Sequence, residues 1–192
     1  MSVLASKRGC LEFDRKFSKE LFTEVNKNLK VFTDEEWESI KDTLEYKKVL
    51  IAVYVRTNID NLILLVEDGK FAQISNVPPF IVNSGLYPNV LIDSGLICAK
   101  NLIDSAFSFK NAEATHRLAL NSACYPVGAV ETSKKYILVF NTVLSVDLLR
   151  DTDITLNQGF HFRPIETLTL TDLLQREISE SLIIVKSEDK KK

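Results

Sequence analysis

The chain offers few side chains suited to metal or nucleophile chemistry, and their spacing keeps them apart. His116 and His161 are the only histidines, and the cysteines Cys10, Cys98 and Cys124 are far from one another. A local zinc site draws its ligands from short Cys/His spacings, yet no cysteine stands within a few residues of either histidine. A pair between Cys124 and His116 or His161 would have to form in three dimensions. With no activating neighbour in sequence, Cys124 is expected to be a buried structural thiol, as free cysteines usually are. Ser122 and Ser133 lie in no G-x-S-x-G elbow, so neither is presented as a nucleophile. Local motifs therefore predict no catalytic residue and no metal ligand.

Phosphate chemistry finds no cradle either. Gly9, Gly69, Gly85, Gly95, Gly128 and Gly159 never cluster into G-x-G-x-x-G or G-x4-G-K-[ST], the patterns that gather backbone amides around a pyrophosphate. Asp34-Glu35-Glu36 and Glu67-Asp68 stand at element boundaries, where helix capping and turn solvation account for them without a cation. Lys47-Lys48 followed by Tyr54 and Arg56 is the best interleaving of basic and aromatic residues. Alternation along a strand puts Tyr54 and Arg56 on one face, the arrangement that stacks single-stranded nucleic acid when both are exposed. A formal net charge of −2 supplies no field to draw the molecule to nucleic acid or to an anionic membrane, so neither is an expected partner.

The elements that must position these residues follow from periodicity. With 45% apolar and 26% charged residues over 192 positions, the chain can bury one domain's core. Phe17, Leu21, Phe22, Val25 and Leu29 recur at helical spacing, with Ser18 as a cap and Phe17 with Phe22 as a staple. Thr33 followed by Glu36 forms a capping box that opens a second helix, through Trp37, Ile40, Lys41 and Leu44 and ending near Tyr46. A short strand at Leu11–Phe13 precedes both. Val49–Arg56 and Leu62–Val66, separated by the polar Asn58–Asn61, read as a β-hairpin, and Phe71–Ser75 as a third strand. Pro78-Pro79 starts a loop that runs to Pro88. Asp93 or Ser94 then caps a largely buried helix to about Ser108. Arg117–Cys124 and Tyr136–Val146 are strands joined by a Pro126–Lys135 connection, and Leu156–Phe162 is another, stopped by Pro164. A closing helix starts at Thr169 or Thr171 and carries Leu170, Leu173, Leu174, Ile178, Leu182 and Val185 on one face, with Leu182–Val185 reading equally as a short strand.

Odd, scattered cysteines fit a reducing compartment. Met1–Cys10 has no apolar run behind Lys7 and Arg8, and Val49–Val55 and Leu62–Val66 are far shorter than the ~20 residues of a spanning helix. A cytoplasmic protein is expected. Lys190–Lys192, after Glu188 and Asp189, reads as a disordered charged tail over 187–192.

From Lys47 onward this order resembles the Nudix hydrolases. The hairpin, a glycine-containing loop, the central helix, strands at Leu118–Cys124 and Tyr136–Leu144, a segment at Gly159–Leu168 and a closing helix at Leu170–Ile183 follow that family's sequence of elements. The resemblance implies an α/β (α+β) fold, a mixed sheet packed between helices over 47–186, with residues 1–46 as an N-terminal helical extension on the core. It also implies where chemistry would sit. The family's motif G-x5-E-x7-R-E-U-x-E-E-x-G-U holds Mg²⁺ through glutamates on one helix face, because magnesium needs several hard oxygen ligands. In the best register, R-E-U-x-E-E falls on Lys100-Asn101-Leu102-Ile103-Asp104-Ser105. Only Asp104 is a carboxylate there.

The resemblance therefore implies a Nudix-like pseudoenzyme: a non-catalytic interaction or assembly protein without a cofactor, with a protein partner or a homo-oligomer. Trp37, Phe71, Phe80, Tyr87, Phe107 and Phe109 are candidates for an interface. The Lys, Asn and Ile content fits a low-GC genome or a virus of such a host, so a phage-encoded or virion-associated protein is a further expectation. Two other readings stand beside it. One is a divergent Mg-dependent hydrolase of nucleoside diphosphate derivatives, recruiting Glu67, Asp68, Asp93 or Glu113. The other is a nucleotide or RNA sensor that binds without turnover.

Overall fold

Two apolar runs build the centre of the molecule. In the computed structural model, which describes residues 2–7, 18–43, 45–59, 62–65, 70–132 and 134–164, β3 (Tyr46–Thr57) and β8 (Lys135–Leu144) pair in parallel from Lys48↔Lys135 to Thr57↔Leu144. Val49, Ile51, Val53 and Val55 join Tyr136, Leu138, Phe140 and Leu144 in one core, while Leu50, Ala52 and Tyr54 join Ile137 and Val139 in a second. A pair buried on both faces needs no polar alternation, and that is why both segments read as nearly unbroken apolar runs.

A strand has two edges, and β8 fills one edge of β3. Along the other edge lie β1 (Ser2–Lys7), β5 (Gln73–Asn76) and β4 (Leu62–Leu65) in succession, all antiparallel. Beyond β1 comes β2 (Leu29–Thr33), beyond β4 comes β10 (His161–Pro164), and β7 (Ser122–Glu131) flanks β8. The mixed eight-stranded sheet is packed by α1 (Lys19–Lys27) and α4 (Val90–Ala106). A small two-stranded sheet pairs β6 (Phe107–Phe109) with β9 (Ile154–Leu156).

The expected mixed α+β architecture, a sheet flanked by helices, is present, and several local elements differ. Ser18 caps α1 by accepting from the Leu21 amide, but the helix stops at Lys27 because Asn28 turns back onto the Glu24 carbonyl at 2.9 Å; Leu29 opens β2 instead. The Thr33 capping box forms as expected, and α2 (Asp34–Ile40) ends before Tyr46, which opens β3. Among the described residues of 1–46, the strands β1 and β2 join the sheet beside helices α1 and α2. Pro79 takes the first position of α3 (Pro79–Asn83), where its missing N–H is no loss. Helix α4 starts at Val90, earlier than Asp93 or Ser94; Ser94 is buried and donates to the Val90 carbonyl.

The largest difference lies before β8. Arg117–Cys124 is not a strand: Asn111 accepts from the Ala114 amide at 2.8 Å and starts α5 (Ala112–Leu120), which buries Ala114 and Leu118 one turn apart. The expected Pro126–Lys135 connection is mostly strand, because the register shift between Pro126 and Gly128 accommodates a residue without an N–H. Leu156–Phe162 splits into β9 and β10 around Gly159, whose φ of +94° suits a glycine. Helix α4 approaches the sheet closely at Gly95, where a Cβ would stand 2.2 Å from the Phe140 ring. Phe22 of α1 meets the same ring edge-on at 5.8 Å. The expected strand at Leu11–Phe13, Phe17, the Glu67-Asp68 turn, the closing helix and the charged tail lie outside the described residues.

Candidate functional site

The six positions from Lys100 to Ser105 fall in the last turns of α4. Leu102 and Ile103 turn into the core, and Lys100, Asn101, Asp104 and Ser105 are exposed. Lys100 Nζ stands 2.9 Å from Asp104 Oδ2, one turn apart, with the two side chains 74% and 47% exposed. That is an ordinary i,i+4 surface pair. Ser105 donates to the Asn101 carbonyl at 2.9 Å. The other candidate carboxylates do not converge on this face: Asp93 accepts from the Tyr87 hydroxyl at 2.7 Å, and Glu113 lies exposed in the first turn of α5. Glu67 and Asp68 lie outside the described residues. Among the described residues no three His, Cys, Asp or Glu side chains gather where they could hold a metal ion. Magnesium prefers octahedral oxygen ligation, so one carboxylate already held by a lysine does not fit it.

A cleft of about 330 Å³ opens beside this helix. Ile103 of α4, Leu118 of α5 and Phe109 of β6 form apolar walls, Cys124 and Thr142 lie on its β7 and β8 side, and the Lys100–Asp104 pair stands at its rim. Cys124 and Thr142 are opposite each other in the β7–β8 register. Cys124 is half-buried, so it is a cleft thiol and not the fully buried one expected. Burial pushes its pKa up, while the Thr142 hydroxyl beside it acts the other way. The hydroxyl oxygen is itself buried against the Cys124 thiol, with almost no surface open to the cleft. Cys98, on the core side of α4, is pushed up to about 11 by burial and then by Cys124. Both thiols are protonated at neutral pH and are poor nucleophiles. His116 and His161 are exposed.

The Tyr54–Arg56 pair does not form an exposed stacking platform. Tyr54 is buried, which pushes its phenol up to about 12, and Arg56 is half-buried with its Nε unpartnered among the described residues. Lys47 is buried as well, 2.5 Å from Glu131 and 2.8 Å from the Thr132 carbonyl. Of the candidate interface aromatics, Phe71 and Phe107 are core and Trp37 packs on Phe32, whereas Phe80 and Tyr87 are exposed at 62% and 38%. Arg117 is the residue the sequence reading passed over. From α5 it donates to Asp151 at 2.9 Å and to Asp153 at 3.0 Å, locking the helix to the approach to β9. The contact spans more than thirty residues, so no local spacing announces it.

No protein-family pattern matches this chain, and no curated protein sequence does. Among solved structures the chain is similar to the crystal structure of Tm1382, "a putative Nudix hydrolase", at 12% identity and a TM-score of 0.53, over 96% of this chain and 99% of that one. Identity that low speaks for the fold alone. The fold is Nudix-like. No helix among the described residues is long and apolar enough to cross a membrane.

Proposed function

We propose that this protein is a non-catalytic Nudix-like domain that acts through interaction or assembly and not through turnover. The observation that carries the reading is the pairing of Asp104 with Lys100 on an exposed helix face, where a Nudix hydrolase presents several glutamates to magnesium. Charge there is balanced within the helix, so the face offers a divalent cation little field and too few oxygens. Exposed Phe80 and Tyr87, next to the start of α4, are the side chains best placed to meet a protein partner.

The test is phosphate and nucleotide release from a panel of nucleoside di- and triphosphates and dinucleotides, with Mg²⁺ or Mn²⁺, together with light scattering on the eluting protein. No turnover, with an oligomer or a co-purifying partner, is the expected result. Metal-dependent release that Asp104→Asn abolishes would replace this reading with the divergent hydrolase.

A further inference from the structure

One row of residues crosses the sheet at the C-terminal end of β3. Backbone register sets Ala123 of β7, Val143 of β8, Arg56 of β3, Ile63 of β4 and Arg163 of β10 opposite one another in succession, so their side chains share a face. Ile63 is buried, Val143 and Arg56 are half-buried, and Ala123 and Arg163 are exposed. The two arginines stand two strands apart, about 10 Å at the usual strand spacing. Neither guanidinium has an ion-pair partner among the described residues. In Arg56 only Nε is both enclosed and unpartnered, which leaves the outer Nη atoms for an end-on, bidentate contact. A half-buried cation without a counter-ion is costly, so an anion brought to Arg56 restores an interaction that folding removed. Beside the row Tyr125 is 42% exposed, and its hydroxyl accepts from Asn141 Nδ2 at 2.7 Å, which holds the ring in place. Arginine and a fixed tyrosine beside small apolar side chains is the composition of a protein-binding hot spot.

We infer that this row docks an extended acidic segment of a partner protein, with carboxylates on Arg56 and Arg163 and a neighbouring side chain against Val143 and Tyr125. An extended chain rises about 3.3 Å per residue with alternate side chains on one face, so acidic residues two or four positions apart bracket the separation of the arginines. Backbone amides of a sheet point along its plane, toward neighbouring strands. This face therefore offers a ligand side chains, and no amide cradle of the kind that holds phosphate. Asn76, which leads toward Phe80, pairs with Leu50, and from Leu50 to Arg56 is about 20 Å along β3; the row is thus a surface separate from Phe80 and Tyr87. The inference rests on the interaction role proposed above in naming a protein as the occupant, and direct binding tests it apart from turnover.

The test titrates the full chain into a fluorescent peptide of alternating glutamate and threonine, read by anisotropy and by amide chemical shifts. The same peptide with glutamine in place of glutamate and a short single-stranded oligothymidylate are run beside it. Saturable binding of the acidic peptide is expected, weakened by salt, absent with the glutamine peptide, and with shifts centred on β3, β4, β8 and β10. Arg56→Gln is expected to weaken it at least about tenfold while leaving Tm unchanged or higher, since the variant removes an unpaired, half-buried charge. Arg56→Lys keeps the charge without the fork and is expected to fall between the two. Lys110→Gln, an exposed cation off this row, should leave the affinity unchanged. No saturable binding, equal binding of the glutamine peptide, or unchanged affinity in Arg56→Gln overturns the inference. So does tighter binding of the oligothymidylate that Arg56→Gln abolishes, which would assign the row to phosphates. Nucleotide turnover by a chain that still binds the acidic peptide through Arg56 would overturn the non-catalytic role and uphold this surface.

Discussion

Gly95 gives the sharpest test of how α4 meets the sheet. In an isolated helix, glycine to alanine is stabilising by about 1 kcal/mol. Here the added Cβ would lie 2.2 Å from one Phe140 ring carbon and 2.4 Å from two more, where carbon contacts are optimal near 3.5–4.0 Å. Either the helix or the ring must move by more than 1 Å. The ring has little freedom, being 1% exposed and met by Phe22 at 5.8 Å. Overpacking of this kind costs about 1–3 kcal/mol and sometimes more, and an overlap this deep belongs at the upper end. After the propensity gain, Gly95→Ala is expected to destabilise by about 2 kcal/mol, a fall in Tm of about 4–8 °C for a domain of this size. Urea unfolding followed by far-UV circular dichroism measures it directly. Phe140→Leu in the same chain is expected to relieve part of the loss, giving a favourable coupling of about 1 kcal/mol in the double-mutant cycle. A neutral or stabilising Gly95→Ala would refute the close approach of α4.

Three further outcomes follow from buried or paired groups. Glu131→Ala strands the Lys47 ammonium, 5% exposed, and is expected to cost about 3–5 kcal/mol, whereas Lys47→Met with Glu131→Leu stays within about 1 kcal/mol of the parent; equal losses in both proteins would deny that the pair is buried. The Arg117 guanidinium, and then the Asp153 amide, hold Asp151 below the usual carboxylate range. Its contribution is therefore present above the unfolded pKa near 4 and lost as pH falls through the lower folded value; in acid titrations of the urea midpoint, Arg117→Gln should flatten that limb, and an unchanged slope would count against it. Cys98, pushed up to about 11, should alkylate roughly 100-fold more slowly at pH 7.5 than an unperturbed thiol, as peptide-resolved mass spectrometry would record; rapid native-state labelling would contradict its burial.

Much of the fold was legible because its signals are local. The Thr33–Glu36 capping box was readable to the residue, and the Val49–Val55 run marked the central strand through the apolar content of a doubly buried pair. Strands β1 and β2 were missed because their pairing, as in Ser2↔Thr33, is made only on folding. The segment before β8 was misread for a different reason: Arg117 and Leu118 look strand-like beside Cys124 and Tyr125, and the decisive signal was the Asn111 cap six residues upstream. At the candidate site, the i,i+4 spacing of Lys100 and Asp104 was on view in the sequence as a helix pair. The meeting of Cys124 with Thr142 was not, since it depends on the register of β7 on β8.

The central claim, that the α4 face does not hold a catalytic metal, is tested most directly by titrating Mn²⁺ into the isotopically labelled full chain. Paramagnetic broadening of the Lys100–Ser105 amides, compared with those of the rest of the surface, is the readout. The account predicts only weak, non-saturating broadening, spread over exposed carboxylates such as Asp104 and Glu113 alike. Saturable broadening centred on Asp104, displaced by Mg²⁺ and lost in Asp104→Asn, would contradict it.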